Sequence, residues 1–274
     1  MSNKKYSVLM SVYFKENPDF LRQSIESVMN QTVLPNDIVL MCDGPLTEEL
    51  DKTIETLKSK YNILNVVRLE KNGGLGNALS IGITHTKNEI VMRMDTDDLC
   101  LPNRAELQLP LMDEYDLVGG FITEFEGEPD NIVGIREVPE KPDDIYKFAK
   151  KRNPFNHPTV MFKIQAILDA GNYQHLPYLE DYYLWVRLLL NKRKAYNLQT
   201  VLVNMRSGVE MRARRSNKQA KKSIKFLRKY MYKNKMIGWG SYVFNTWAQL
   251  FVLSLPLKIR SRIYKKILRK QKNK

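Results

Sequence analysis

Hydrophobic positions in the first hundred residues switch repeatedly between two rhythms. "YSVLMSVY" (6–13) is a short apolar, partly β-branched run that predicts a strand. Pro18 then opens a segment in which Leu21, Ile25, Val28 and Met29 fall at helical spacing. "DIVLMC" (37–42) predicts a second strand, followed by a helix with Leu50, Ile54 and Leu57 on one face, and "NILNVVRL" (62–69) predicts a third strand. Gly73, Gly74 and Gly76 punctuate a loop before a helix carrying Ala78, Leu79 and Ile83, and "EIVMRM" (89–94) predicts a fourth strand. This βαβαβαβ order calls for a parallel sheet covered by helices.

Beyond Pro102 the rhythm changes. A Leu-rich helix over 105–113 leads to a strand at "YDLVGGFITEF" (115–125), and residues 126–144 show no clear period. "HPTVMF" (157–162) predicts another strand, and "EDYYLWVRLLL" (180–190) a helix with Leu184, Trp185, Leu188 and Leu189 on its core face. This half has an α+β character and is expected to complete the same sheet.

Charge divides the chain more sharply than hydropathy does. The net charge of the 274 residues is +14, yet no Asp or Glu follows Glu210, so the last 64 residues carry +20 and the first 210 carry −6. The basicity therefore belongs to a tail, which implies an acidic partner, nucleic acid or an anionic membrane. Within the tail, Ile224, Phe226, Leu227, Tyr230 and Met231 form a stripe in a lysine-rich helix. "YVFNTWAQLFVLSLPL" (242–257) is uncharged but short of the roughly 20 residues that a spanning helix needs. With "KIRSRIYKKILRKQKNK" behind it, the segment suits a helix lying in the membrane interface. A helix packed on the parent domain is the other reading. The expected organisation is a catalytic domain over 1–215, with halves 1–100 and 101–215, and a basic amphipathic tail over 216–274.

Two cysteines, Cys42 and Cys100, sit in or beside apolar runs and form no ligand spacing, which argues against a disulfide scaffold or a zinc site. The N-terminus lacks a signal-peptide pattern, so a cytoplasmic chain is expected.

Chemistry concentrates where the apolar runs end. "IVMRMDTDDLCLP" (90–102) places Asp95, Asp97 and Asp98 directly behind the fourth strand, at the carboxyl edge where open parallel sheets bind ligands. In extended backbone Asp95 and Asp97 face one side, while Asp98 turns elsewhere or assists. Carboxylates this close repel, and a divalent cation relieves the repulsion while leaving positions for phosphate oxygens. The competing reading is a solvated turn in which Asp97 or Asp98 caps the next helix. Asp43, in "MCDGP" at the end of the second strand, could accept a hydrogen bond from a nucleobase. "KNGGLGNAL" (71–79) allows close approach of a ligand but is not a G-x-x-x-x-G-K-[ST] phosphate loop.

"YSVLMSVYFKENPDFLRQSIESVMNQT", "CDGP", "NGGLGNALSIGI", "MDTDD", "NHPTVMF" and "EDYYLWVRLLL" occur in the order and approximate spacing of family 2 glycosyltransferases. Together, over about residues 5–215, they resemble the bacterial branch that builds capsular and exopolysaccharide repeat units. Cys42 is a departure, since many relatives carry an Asp there. The resemblance implies an α/β GT-A fold, Rossmann-like with a mostly parallel central sheet flanked by helices, a nucleotide-sugar donor and inverting transfer. It places Ser11 and Tyr13 at the base, Asp43 at a uracil edge, and Asn72, Gly73, Gly74 and Asn77 beside the ribose. Asp95 and Asp97 become the D-x-D pair, with Asp97 the first candidate to hold Mg²⁺ or Mn²⁺ and Asp98 aligned with the metal ligand of some relatives.

Cleaving a glycosyl–phosphate bond leaves negative charge on the diphosphate, which a metal stabilises, while the incoming hydroxyl must lose its proton to a carboxylate as it attacks. Asp181 resembles the family's general base, and the first turn of a helix favours its ionised form. Glu180 and His157 are expected at the acceptor, although a lone His before Pro158 also serves structure. Arg212, Arg214 and Arg215 either reach a phosphate or form a solvated face.

A UDP-hexose is the expected donor, with dTDP-rhamnose offering the same base edge. The expected acceptor is a lipid-diphosphate-linked glycan at the cytoplasmic face of the bacterial inner membrane, met by a peripheral enzyme whose tail binds anionic lipid. A nucleotidyltransferase acting on sugar phosphates would want a glycine-rich phosphate loop after the first strand, and "SVYFKENPDF" does not supply one. Nucleic acid is not expected as a partner, because the tail's aromatic residues cluster in an uncharged run instead of interleaving with the basic ones.

Overall fold

A computed structural model describes residues 4–207 and 218–255. Strands β1 (Tyr6–Val12), β2 (Asp37–Cys42), β3 (Leu64–Arg68) and β4 (Ile90–Arg93) pair in parallel in the order β3-β2-β1-β4. Every residue of β2 is buried, because helices cover both faces of the sheet. The side-chain period of two then divides the strands between two cores. Leu9, Val39, Met41 and Val91 point into one, and Val8, Met10, Ile38, Leu40 and Met92 into the other.

The helices between these strands start where local chemistry stops the chain from extending. For α1 (Pro18–Met29), Asn17 Oδ1 accepts from the amides of Asp19 and Phe20, and Pro18 at the first position lacks an amide to satisfy. For α2 (Glu48–Lys60), the Thr47 hydroxyl accepts from Leu50 N, and Leu50, Ile54 and Leu57 are buried on one face. The third helix, α3 (Leu75–Gly82), begins directly at the glycine loop.

The second half continues the same sheet. Strand β8 (Met161–Lys163) pairs antiparallel with β4, so no break separates the two halves. From there β6 (Leu117–Phe125), β9 (Ala195–Arg206) and β5 (Leu99–Cys100) extend the order, with β7 (Ile132–Arg136) on β6. The sheet has nine strands, and β6 and β9 run parallel. Four short helices serve this half: α4 (Arg104–Gln108), α5 (Pro142–Ala149), α6 (Ile164–Asp169) and α7 (Glu180–Leu190). Residues Tyr182 to Leu189 of α7 are all buried, Trp185 fully, so this helix is core on more than the one face that its spacing predicts.

The second half differs from the sequence expectation in several elements: β5, α5 and α6 add to it, and the helix expected over 105–113 is α4 followed by a 3₁₀ turn at Leu109–Asp113. Strand β7 lies inside the stretch without a clear period, and the 12-residue β9 was not anticipated. "HPTVMF" is a strand only from Met161, because His157–Thr159 form a 3₁₀ turn around Pro158.

The tail begins with a docked helix. In α8 (Lys218–Lys233), Ala220, Leu227, Arg228 and Met231 are buried, and Leu227 and Met231 join the core that holds Trp185. Tyr183 of α7 meets the rings of Phe226 and Tyr230 edge-on at 5.4 and 5.0 Å. The following helix, α9 (Trp239–Ser254), buries no residue, and Trp239, Val243, Phe244, Trp247 and Phe251 stand exposed on it. Among the described residues no helix is long and apolar enough to cross a membrane.

Candidate active site

Because β1 to β4 are parallel, the chain leaves all four at one rim. There Asp95, Asp97 and Asp98 each bring a carboxylate oxygen within 4.8 Å of the others. The turn is fixed by neighbours from α1 and the β1 exit. Ser24 Oγ donates to Asp95 O at 2.7 Å, and the Thr96 hydroxyl lies 3.1 Å from Ser11 O and 2.9 Å from a Glu16 carboxylate oxygen. Asp98 does not turn away from the pair: it is the most buried of the three. No aspartate caps α4, whose N-terminal flanking residue is Asn103, after β5 has intervened.

Each carboxylate has a different environment. The buried Arg93, two residues before Asp95 on the same side of β4, forks its guanidinium onto both Asp95 oxygens. Asp98 Oδ1 accepts from Arg206 N at 2.8 Å, while its Oδ2 is buried with no hydrogen-bond partner among the described residues. Burial, reinforced by Asp97 and Asp95, pushes the Asp98 carboxyl well above the usual range. Asp97 is pushed up to about 7, first by burial and then by Asp95 and Glu16. Glu16 is itself raised, chiefly by burial.

Arg206 closes the turn from behind. Its side chain donates to Asp97 O at 3.1 Å and to Gln23 Oε1 at 3.0 Å, and lies against the rings of Phe20 and Phe125.

Asp43 shapes the glycine loop. Its two carboxylate oxygens accept from Gly73 N at 2.8 Å and Gly74 N at 2.9 Å, and its carbonyl accepts from Asn72 Nδ2 at 3.0 Å. Each oxygen keeps a second lone pair, so a ligand N–H can still be met. Gly44 has φ +85, and a Cβ there would lie 2.6 Å from Asn72 N, so only glycine lets the β2 exit pass this close to the loop. The loop delivers Gly74 to the start of α3, with Asn72 and Asn77 exposed. Ser11 and Tyr13, at the β1 exit, are half-buried, and the Tyr13 ring meets Phe14 edge-on at 5.8 Å.

A second acidic group lies at the first turn of α7. Asp181 Oδ2 accepts from Asn153 Nδ2 at 2.6 Å, and Oδ1 accepts from Tyr182 N at 2.7 Å. Glu180 packs against the start of α3, where a Cβ on Gly76 would lie 3.0 Å from its Cγ. His157 Nε2 is 2.9 Å from the Tyr173 hydroxyl, and its ring stands 6.0 Å from that of Trp185. Burial, helped by Arg93, holds the imidazole well below its ordinary pKa, so it is neutral at pH 7. Burial raises the Tyr173 phenol; Arg93 opposes the shift, and Asp181 and Asp95 add to it. The tie between α7 and the sheet rim is Glu180, the neighbour of Asp181, against Gly76 at the start of α3.

The profile of Glycosyl transferase family 2 matches residues 7–171. The chain belongs to that family. The glycosyltransferase is 36% identical to the UDP-Gal:alpha-D-GlcNAc-diphosphoundecaprenol beta-1,3-galactosyltransferase of Escherichia coli, over 97% of each chain. It is 37% identical to the amylovoran biosynthesis glycosyltransferase AmsE of Erwinia amylovora, over 94% of this chain and 90% of the relative. Its fold matches the crystal structure of GalNAc-T7 with UDP, GalNAc and Mn²⁺, with a TM-score of 0.67 and 17% identity, over 95% of this chain and 54% of the other. The family resemblance and the GT-A fold expected from the sequence are both borne out.

In this glycosyltransferase the acid turn fits a divalent cation on its own chemistry. It gathers three carboxylate donors, and among the described residues Asp98 also keeps a buried oxygen without a hydrogen-bond partner; a hard cation prefers such a set. Arg93, Glu16, Arg206, Asn153 and Tyr173 were not singled out from the sequence. Arg93 had a readable signal, a charge inside a buried strand two residues before an aspartate. Asn153 and Tyr173 lie in loops whose meeting with Asp181 and His157 depends on the tertiary fold. Arg212, Arg214 and Arg215 lie outside the described residues.

Proposed function

We propose that the chain transfers a hexose from a UDP-sugar, with inversion, to a hydroxyl of a lipid-diphosphate-linked sugar at an anionic membrane surface. The observation that carries this reading is the convergence of three carboxylates behind β4, on the rim whose glycine loop leads into the helix that Glu180, the neighbour of Asp181, packs against. The UDP-galactose and the diphosphoundecaprenol-linked acceptor in the name of the Escherichia coli relative support the choice of substrates.

Ser11 and Tyr13 hold the base, Asp43 accepts from the uracil N–H, and the loop Asn72–Asn77 that Asp43 braces lies against the ribose. Asp95, Asp97 and Asp98 hold Mg²⁺ or Mn²⁺, which when bound offsets the negative charge of the departing diphosphate. Arg93 restrains Asp95 and removes one negative charge from the turn. On the other side of the sugar, Asp181 takes the proton of the acceptor hydroxyl as its oxygen bonds to the anomeric carbon and the bond to the UDP oxygen breaks. Asn153 and Tyr182 N fix the carboxylate orientation, so little rearrangement is needed when the hydroxyl arrives. Glu180 and the neutral His157 line the acceptor, and His157 can donate or accept a hydrogen bond there.

The membrane contact is assigned to α9. Trp239, Val243, Phe244, Trp247 and Phe251 fall within an arc of about 140°, less than half of the helix circumference at 3.6 residues per turn. The chain after it carries nine basic residues and no acidic one from Lys258 onward. Aromatic side chains with adjoining cations suit the headgroup layer of an anionic bilayer at its cytoplasmic face.

The test is UDP release from a panel of UDP-, dTDP- and GDP-sugars with Mn²⁺ and a sugar-diphosphate-lipid acceptor. Asp181→Asn is expected to bind UDP as the wild type does and to lose roughly 10²–10⁴-fold in kcat, the usual contribution of a general base. Loss of UDP binding with unchanged kcat would reverse the assignment.

A further inference from the structure

The tail hairpin touches the segment that holds Asp181. Arg228 of α8 is fully buried, and its guanidinium donates to Lys150 O at 2.7 Å and Lys151 O at 2.6 Å, the carbonyls just past the end of α5. Its Nε donates to Gln249 Oε1 of α9 at 3.2 Å, so both tail helices meet at this guanidinium. From the α7 side, the Tyr182 hydroxyl donates to Ala149 O at 2.6 Å. Two residues beyond Lys151, Asn153 donates to Asp181, while its own carbonyl accepts from Arg136 at 2.8 Å.

Residues 149–153 are therefore a short strap. One end is fixed by the tail, and the other fixes the carboxylate.

We propose that the α8–α9 hairpin positions Asp181 through Arg228 and the 149–153 strap, and thereby sets the rate of the transfer step. This rests on Asp181 acting as the general base of the proposed reaction. Arg228 and Asn153 are positioning residues here, since neither takes up the proton. The physical basis is geometric: a planar guanidinium holds two adjacent carbonyls and a third acceptor at once, which an ammonium cannot reproduce with the same angles. Displacing a catalytic group by about 1 Å can cost on the order of 10²-fold in rate. A link two residues long leaves little slack to absorb a shift at Lys150 and Lys151.

The test uses the full chain and compares Arg228→Met, Arg228→Lys, Gln249→Ala and Asn153→Ala with a control. Lys221→Ala removes the exposed contact from Lys221 Nζ to Ser254 Oγ, which joins the same two helices without reaching the strap. Transfer is read as UDP release from UDP-galactose onto a short-chain alkyl-diphosphate-linked N-acetylglucosamine. The expected result is a fall in kcat of roughly ten-fold or more for Arg228→Met and Asn153→Ala, with UDP affinity unchanged. Arg228→Lys should recover part of the loss, Gln249→Ala should lose less, and Lys221→Ala should match the wild type.

Arg228→Met combined with Asn153→Ala should be no slower than the slower single variant, because both act along one path. Losses that multiply, or that Lys221→Ala shares, would overturn the proposal in favour of a general weakening of the fold. Amide exchange gives a readout that needs no activity. Gln249→Ala and Arg228→Lys, the variants least disturbing to folding, should speed exchange at residues 151–155 and leave 72–82 unchanged. Unaltered exchange there would also overturn it. Failure of the wild type to release UDP from any donor would instead sink the transferase reading of the site, while the exchange experiment would still decide the mechanical link.

Discussion

Arg93→Met removes the buried cation that, among the described residues, is paired with the acid turn. Deleting one partner of a buried ion pair typically costs about 3–5 kcal/mol. Asp95 keeps 32% of its side chain exposed, so water can partly replace the guanidinium, and about 2–3 kcal/mol is the better expectation. For a chain of this size each kcal/mol moves Tm by roughly 2–4 °C, which gives a loss of about 4–12 °C without metal. The variant also leaves the turn one charge more negative, so Mn²⁺ should raise its Tm by more than it raises that of the wild type. Adding Asp95→Asn to Arg93→Met should recover part of the stability, because the unpaired charge is removed. Thermal unfolding followed by circular dichroism, with Mn²⁺ and with chelator, measures all of this. An unchanged Tm in Arg93→Met, or a smaller response to Mn²⁺ than in the wild type, would refute the reasoning.

Without metal, the stability of the wild type should fall as pH rises from about 4 to 7. The folded state keeps the Asp97 proton up to about 7, whereas the unfolded chain loses it near 3.8, so the unfolded state binds fewer protons across that window. Asp97→Asn should show a shallower slope in denaturant titrations at several pH values, and an identical slope would contradict the burial argument. Asp43→Ala removes the acceptor of two loop amides, each worth about 1 kcal/mol when the amide can turn to water, and should raise the KM for the donor more than it lowers kcat. A normal KM in steady-state kinetics would mean that the loop keeps its shape without the brace. Replacing both Trp247 and Phe251 by Ala should weaken sedimentation with anionic vesicles at low salt, and high salt should release the wild type. Equal sedimentation of the variant would move the contact elsewhere on the tail.

The parallel half of the fold was legible because β1, β2 and β4 are buried on both faces and therefore read as mainly apolar runs, with Ser7, Ser11, Asp37 and Arg93 as the exceptions. Strand β9 hid for the opposite reason. Asn197, Gln199, Thr200 and Asn204 interrupt its pattern, and what holds it is tertiary: Asn197 Nδ2 donates to Pro139 O and Pro154 O, and the register with β6 shifts twice. The acid turn was legible because unpaired carboxylates behind a strand demand a reason. The use of Asp43 was not, since nothing in "MCDGP" reveals that both of its oxygens already receive amides from a loop thirty residues away. Asp181 could be singled out from its motif and its place at a helix start, but its restraint by Asn153 depends on how the strap folds back. The tail divided in two: α8, whose stripe was noted without a partner, docks on the core through Leu227 and Met231, and α9 leaves its aromatic face uncovered.

The central claim is that the carboxylates at the sheet rim bind the diphosphate through a divalent cation. Calorimetric titration of UDP into the protein, with Mn²⁺ and then with chelator, tests it most directly. The account predicts that chelation weakens UDP binding by roughly ten-fold or more, the scale of a lost charge-assisted contact, and that Asp97→Ala erases the difference. Equal affinity in the two conditions for the wild type would contradict it.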